Sequence, residues 1–237
     1  TVARVEVLGE FPRADDDTVI PMELIKAAVD RDVALSASAP IIWGLDVARY
    51  GGDNSALCVR QGNTVLELKS FQSMDLMQLC GAIKNRYDDC TALERPQEIL
   101  IDVIGLGSGV VDRLAEQNLP VRGINVAEAP ATKKNYLNLR AELWFGIKDW
   151  LAQRDCRLPN DDELVSELAA PIYKYTSSGK IKLESKEEMR KRGIKSPDKA
   201  DALSLTMASS AASFSGSMSF MGYNFRQPLK SKIIRIG

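Results

Sequence analysis

The chain has 237 residues, 45% of them hydrophobic, and its 31 basic residues balance 32 acidic residues to leave a formal net charge of −1. That composition is sufficient for a hydrophobic core in one large or two small domains, and the balanced charge gives no overall signal for a polyanionic partner. The chain contains no histidine, which excludes Ser-His-Asp and Cys-His catalysis and H-E-x-x-H zinc sites, so we expect any chemistry to use carboxylates, lysines, hydroxyls or oxygen-bound metals.

The cysteines and the apolar runs indicate an ordinary cytoplasmic protein. Four cysteines are scattered without a C-x-x-C pair, mostly among apolar neighbours, which predicts buried free thiols. No apolar run approaches the roughly 18–20 residues of a membrane span, and the N-terminus lacks the features of a signal peptide.

Residues 1–39 are interpreted as a junction that leads into the main domain without joining its core. A helix is predicted over 21–29, with Pro21 in its first turn, and small residues resembling a linker follow it. The main domain is assigned to 40–214. The serine- and glycine-rich stretch 215–237 is predicted to be a flexible tail.

The pattern within 40–214 predicts an α/β domain. Its first elements are strands at 41–48, 55–60 and 64–70, a helix over 75–90, a strand at 98–103, a helix ending near 117 and a strand at 121–126. Three antiparallel strands followed by helices and parallel strands predict the mixed sheet of a ribonuclease H-like fold. The later elements are helices over 138–154 and from 161, an added hairpin at 173–176 and 180–183, and helices over 186–192 and 198–213.

Two acids, Asp46 and Asp102, each end an apolar strand just before a glycine-rich turn. If these strands are adjacent and parallel, both carboxylates emerge at one edge of the sheet, where α/β proteins place their sites. Carboxylates that close repel each other unless a cation lies between them. The simpler alternative is that one acid caps a helix and the other forms a salt bridge.

A third acid is expected from the last predicted helix. Asp198 follows Ser-Pro and is explained either as a helix cap or as a further ligand, whereas Asp201 lies among small apolar residues where a charge needs a reason. Three or four carboxylates without histidine indicate Mg²⁺ or Mn²⁺. Two such ions, roughly 4 Å apart, suit in-line displacement at phosphorus, which points to phosphodiester hydrolysis.

A basic cluster precedes the third acid. A charged helix is usually a solvated surface, but phosphates must lie beside the metals, so we expect these residues to contact the nucleic-acid backbone. The cluster and the preceding hairpin supply Lys180, Lys182, Lys186, Arg190, Lys191, Arg192 and Lys195.

The ordered set of motifs resembles the nuclease domain of the large terminase subunits of tailed bacteriophages. The resemblance covers roughly residues 40 to 213 and rests on the segments 44–48, 51–53, 101–102, 105–112, 138–144, 191–192 and 196–203. It implies a ribonuclease H-like endonuclease that cuts concatemeric viral DNA in the host cytoplasm during genome packaging. Asp46, Asp102 and Asp201 fall on the metal-binding acids of the family, with Asp198 as an auxiliary.

The resemblance also implies partners. Members of the family carry an N-terminal packaging ATPase, whose phosphate-loop motif is absent from this sequence, so residues 1–39 are expected to follow such a domain. A small terminase subunit, the portal protein and double-stranded DNA are the expected partners.

Two other functions remain open. A nucleotide-binding module of the actin and sugar-kinase type also carries a strand aspartate beside a glycine-rich turn, although a second such hairpin is not found in the sequence. A non-catalytic module that docks on DNA or on the portal could also keep the same fold.

Overall fold

The computed structural model describes residues 17–48, 54–130 and 135–209. The predicted turn residue Asp53, the C-terminal part of the last predicted helix and the predicted tail lie outside these ranges. No helix in the described ranges is long and apolar enough to cross a membrane.

A five-stranded mixed sheet with the order β3-β2-β1-β4-β5 forms the centre of the molecule. Its strands are β1 (Ile41–Asp46), β2 (Ser55–Gln61), β3 (Thr64–Phe71), β4 (Glu98–Asp102) and β5 (Val121–Ile124). β2 is antiparallel to both β1 and β3, while β4 is parallel to β1 and β5 is parallel to β4. This sheet confirms the predicted ribonuclease H-like arrangement.

Seven helices and a separate hairpin surround the sheet in the described ranges. The helices are α1 (Met22–Ala28), α2 (Leu76–Asp88), α3 (Gly107–Glu116), α4 (Leu139–Ala152), α5 (Asp162–Ala169), α6 (Lys186–Lys191) and α7 (Asp198–Thr206). The hairpin consists of β6 (Tyr173–Tyr175) and β7 (Ile181–Leu183). Local signals fix several helix starts, because Asp75, Asn138, Asp161 and Ser185 each accept a hydrogen bond from a first-turn backbone N–H.

Side chains alternate between the two faces of the sheet, as the two-residue period of a strand requires. In β1, Trp43 and Leu45 join an apolar cluster with α2 and α3. Ile42 belongs instead to a cluster with Leu205 of α7, and Gly44 faces the same helix. Asp46 continues this alternation and therefore lies on the α7 side of the sheet.

The segment before residue 40 is part of the core. Val19, Ile20, Ile25 and Ala28 are fully buried in the cluster that also holds α4, α5 and α7. The expectation that residues 1–39 stay outside the core is therefore wrong for α1 and the residues just before it. The local sequence pattern does not show that α1 is buried, because its apolar partners come from helices that lie far along the chain.

The four cysteines, Cys58, Cys80, Cys90 and Cys156, are buried free thiols, as predicted.

Candidate active site

Strand pairing brings the first two predicted acids together. β1 and β4 are adjacent and parallel, and the last residue pair in register is Leu45 with Ile101. Asp46 and Asp102 each come one residue later, so both lie at the carboxyl edge of the sheet. Asp46 is 6% exposed, while Asp102 is half-buried and accepts a hydrogen bond from the Ile104 N–H at 3.0 Å.

Helix α7 supplies the other two acids at the same edge. It packs directly on β1 and β2, where a Cβ atom added to Gly44 would lie 2.0 Å from the Ala202 carbonyl oxygen. The absence of a side chain at Gly44 therefore permits this contact. Asp198 and Asp201 lie in the first turn of α7 and are 8% and 6% exposed.

The ammonium group of Lys186 lies between three of these carboxylates. Its Nζ atom is 3.0 Å from Asp46 Oδ2, 3.1 Å from Asp201 Oδ2 and 3.8 Å from Asp198 Oδ1. The structure thus places Lys186, which the sequence assigned to the DNA surface, inside the acid cluster. The carboxylates of Asp46, Asp198 and Asp201 therefore converge on one point, which the Lys186 ammonium group occupies.

Asp46 and Asp201 differ in how their charge is stabilised. Burial is the largest cause that raises the pKa of Asp46, and the nearby Lys186 ammonium only partly offsets it. The pKa of Asp201 is lowered although burial opposes this, because Arg140, Lys186 and the Trp144 indole N–H stabilise its ionised form. Burial also raises the pKa of Asp102.

Asp198 has a different environment from Asp201. Its Oδ2 atom accepts a hydrogen bond of 3.0 Å from the backbone N–H of Asn54, the residue before β2. One of its oxygens therefore anchors the connection between β1 and β2, while the other faces Lys186.

The cluster fits a hard divalent cation by its donor chemistry. Carboxylate oxygens are the protein ligands preferred by Mg²⁺ and Mn²⁺, and Asp46, Asp198 and Asp201 already surround a positive charge. In the ranges that the structure describes, no set of three or more acidic, cysteine or histidine side chains has the spacing of a formed metal site.

The remaining residues of the predicted basic cluster occupy different positions. Arg192 forms an ion pair with the buried carboxylate of Glu184, and Lys182 lies 3.6 Å from Glu188. Arg190, Lys191 and Lys195 are exposed, and Lys180 is half-buried at the end of the hairpin turn. Within this cluster, Lys182 and Arg192 thus lie beside acids, whereas Lys191 and Lys195 face solvent.

Sequence reasoning missed two residues of the site. Arg140 and Trp144 of α4 both donate hydrogen bonds to Asp201. Their four-residue spacing puts them on one face of the helix, but the spacing alone does not show which partner that face contacts. The signal that could have revealed them is that the segment 138–144 belongs to the ordered motifs of the resemblance.

Comparison with known proteins supports this resemblance. No protein-family model matches the chain. A curated relative, the probable terminase large subunit of Enterobacteria phage P7, is 24% identical over 216 residues, which are 86% of this chain and 44% of the relative. The chain therefore spans less than half the length of that protein.

Solved structures of the same kind share the fold. One is a lysine-to-alanine variant of the nuclease domain of the large terminase subunit of bacterial virus Sf6 with manganese and β-thujaplicinol. It aligns with a TM-score of 0.70 at 20% identity, over 81% of this chain and 99% of that domain. The large terminase nuclease from thermophilic phage G20c with bound magnesium aligns with a TM-score of 0.59 at 14% identity, over 83% and 98% of the two chains. The resemblance to large terminase nuclease domains is thus confirmed at the level of the fold.

Proposed function

We propose that this chain is a Mg²⁺- or Mn²⁺-dependent endodeoxyribonuclease that hydrolyses phosphodiester bonds of concatemeric viral double-stranded DNA during genome packaging. The observation that carries the proposal is the convergence of Asp46 from β1 with Asp198 and Asp201 from α7 around the Lys186 ammonium, at the sheet edge where Asp102 also lies. The shared fold with large terminase nuclease domains supports it.

The carboxylates of Asp46, Asp102 and Asp201 would hold two metal ions, with Asp198 as an auxiliary ligand. Such a pair of ions supplies an activated water and stabilises the leaving oxygen in an in-line displacement at phosphorus. The protein contributes the arrangement of the ligands, because α7 is fixed against β1 and both carry ligands. Lys186 balances the charge of the acids, which would otherwise repel one another at this distance.

The DNA backbone would lie across the exposed basic residues beside this edge. Lys182 lies in β7 of the hairpin, Arg190 and Lys191 lie in the last turn of α6, and Lys195 lies between α6 and α7. Cross-strand pairing places Lys174 directly opposite Lys182, and Glu188 lies 3.6 Å from Lys182, so this part of the hairpin carries two positive charges beside one carboxylate. We also assign Lys180 to the surface that contacts the DNA backbone. Arg192 and Lys186 are expected to act mainly through their acidic partners.

The whole protein is proposed to work in the host bacterial cytoplasm with further components. The curated relative is more than twice as long as the matched region, which leaves room for an ATPase domain of the same full-length chain. The small terminase subunit and the portal protein are the proposed assembly partners, and residues 215–237 are the first place to seek their docking site.

Plasmid cleavage tests the proposal directly. Supercoiled DNA should be nicked and linearised with Mg²⁺ or Mn²⁺ and left intact with a chelator. Asp46→Asn, Asp102→Asn and Asp201→Asn should each lower the rate at least about 100-fold, since even residues that only support a metal ligand contribute 10–100-fold. Asp88→Asn, on the exposed side of α2, is the matched control. Cleavage that survives chelation, or survives all three substitutions, would refute the proposal.

A non-catalytic DNA- or portal-docking module is the second candidate, because the ion pairs of Lys186 would also be expected in a purely structural acid cluster. In that case the wild-type protein would not cleave DNA, and the three aspartate substitutions would lower its stability without changing its docking activity. The actin-like nucleotide-binding alternative has less support, since the ranges described contain one mixed sheet of this type. Calorimetric detection of ATP binding would favour it.

A further inference from the structure

Three side chains direct N–H groups at the buried carboxylate of Asp201. Its Oδ1 atom accepts a 2.8 Å hydrogen bond from the Trp144 indole N–H and a 3.2 Å bond from Arg140. Its Oδ2 atom receives a longer, 3.4 Å contact from Arg140 and faces Lys186 at 3.1 Å. One oxygen is therefore directed at α4 and the other at the acid cluster.

Both donors are held firmly by the surrounding structure. Trp144 is fully buried in the core cluster of α4, α5 and α7, so its ring cannot move without disrupting packing. Arg140 donates a second bond of 2.8 Å to the backbone carbonyl of Glu184, two residues before Lys186. The same guanidinium therefore connects Asp201 to the segment that carries the lysine.

Such donors do more than satisfy a buried charge. A hydrogen-bonded carboxylate oxygen is fixed in orientation and less available to a cation. The Trp144 bond and the shorter Arg140 bond both go to Oδ1, so Oδ2, which already faces the Lys186 ammonium, is the oxygen better placed to act as a ligand. A carboxylate that offers one oxygen suits the octahedral geometry of Mg²⁺, whereas Ca²⁺ also accepts both oxygens of one carboxylate.

We propose that Trp144 and Arg140 are positioning residues that orient Asp201 as a one-oxygen ligand and thereby favour Mg²⁺ over Ca²⁺ at this site. The proposal rests on the proposed metal-dependent function. It assigns to α4 the role of a rigid support for the ligand on α7.

Indole N–H resonances of the metal-free protein and of the protein titrated with Mg²⁺ provide the main test. The chain has three tryptophans, and Trp150, on the same helix, donates to Asn63 at 3.2 Å. The Trp144 resonance, assigned by its absence in Trp144→Phe, should shift with Mg²⁺ more than the Trp150 resonance. It should also move in Asp201→Asn without metal.

Trp144→Phe removes the donor while keeping an aromatic ring, and Trp150→Phe is the matched control for the loss of a buried indole N–H. We expect Trp144→Phe to weaken Mg²⁺ binding, measured by calorimetry, about 10- to 100-fold, with a smaller loss for Ca²⁺. Trp150→Phe should leave both affinities unchanged. Arg140→Gln should lower Mg²⁺ affinity in the same direction, with Arg140→Lys recovering part of it.

The outcomes separate this inference from the function on which it rests. If wild-type protein cleaves DNA and Trp144→Phe keeps the wild-type Mg²⁺ affinity and the wild-type ratio to Ca²⁺, the positioning role is wrong while the nuclease remains. If wild-type protein neither binds metal nor cleaves DNA, the proposed function fails. In that case an Asp201→Asn spectrum with an unchanged Trp144 resonance would also refute the hydrogen-bond assignment.

Discussion

The two faces of the central sheet are built in different ways. On the face toward α2 and α3, large apolar side chains such as Trp43, Leu79, Ile83 and Leu114 fill the space between layers. On the face toward α7, glycine and alanine allow the helix backbone to touch the strand, and the buried groups include Asp46, Asp201 and Arg60. We call these the apolar face and the α7 face.

This difference separates stability from function within one sheet. The hydrophobic effect, which does not depend on the orientation of individual groups, is sufficient to hold α2 and α3 against the sheet. Buried charges need donors and acceptors at fixed positions, so the α7 face depends on geometry and should tolerate little change. Substitutions matched between the two faces can test this contrast.

The largest effect is expected from Gly44→Ala. The new Cβ would lie 2.0 Å from the Ala202 carbonyl oxygen and 3.0 Å from a side-chain atom of Thr206, so α7 must move away from β1. We expect a loss of more than about 3 kcal/mol in the free energy of unfolding, at or beyond the upper end of the usual effect of overpacking. Cleavage activity should fall as well, because Asp201 moves with the helix.

Gly81→Ala on α2 is the control, since a Cβ atom there has no neighbour within 4 Å. It should raise stability by up to about 1 kcal/mol, as alanine favours a helix more than glycine does. Urea unfolding of both variants measures the contrast. Equal effects at the two glycines would show that the faces do not differ in this way.

Arg60→Met should have the next largest effect. Arg60 is 1% exposed and donates to the Thr206 hydroxyl and carbonyl oxygens at 2.8 Å each, and to the Gly62 carbonyl at 2.6 Å. It therefore stabilises the C-terminal end of α7, where helix carbonyls lack partners. Methionine would leave these buried carbonyls unsatisfied, at an expected loss of about 2–3 kcal/mol.

Arg113→Met is its counterpart on the apolar side, since Arg113 pairs with the exposed Glu116 at 3.1 Å. Such a surface pair contributes about 0–1 kcal/mol, so thermal unfolding should hardly change. A comparable loss in both variants would contradict the assignment of Arg60 to the support of α7.

Glu167→Gln should change how stability depends on pH. Burial, with Asp198, Glu163 and Asp201 nearby, raises the pKa of Glu167 from 4.5 to about 8. Between these two values the unfolded chain has released the proton that the folded protein retains, so the free energy of unfolding falls as pH rises and levels off above pH 8. Glutamine should remove a decline on the order of 1–2 kcal/mol.

Unfolding in chelator from pH 5 to pH 9 measures this effect. The glutamine oxygen can still accept the 2.9 Å hydrogen bond that the Ala200 N–H donates to Glu167, so the variant should stay folded. Glu116→Gln, at an exposed position of α3, should follow the wild-type profile. A Glu167→Gln profile that declines like the wild type would exclude Glu167 as the cause.

The smallest effect is expected from Lys182→Ala. If the hairpin beside the α7 edge contacts phosphates, this variant should bind DNA about threefold more weakly at all sequences and reduce the slope of log affinity against log salt by about 1. Lys84→Ala, on α2 at the apolar face, should bind like the wild type in the same titration. Identical slopes for all three proteins would remove Lys182 from the proposed DNA surface.

The sequence by itself determined most of the local structure. Strand alternation, helix capping residues and turn glycines predicted the five strands of the sheet, the added hairpin and most helices within a few residues. Asp46, Asp102, Asp198 and Asp201 could be selected because an acid at the end of an apolar strand or among small helical residues is costly unless it has a partner. The absence of histidine restricted the chemistry in the same way.

Only the tertiary structure decided what surrounds these acids. Lys186 lies 140 residues from Asp46 along the chain and Trp144 lies 57 residues from Asp201, and no local pattern encodes such distances. For the same reason the sequence placed α1 outside the core and Lys186 on the DNA surface. A side chain's type and spacing show that it needs a partner, but which partner it has depends on how distant elements pack.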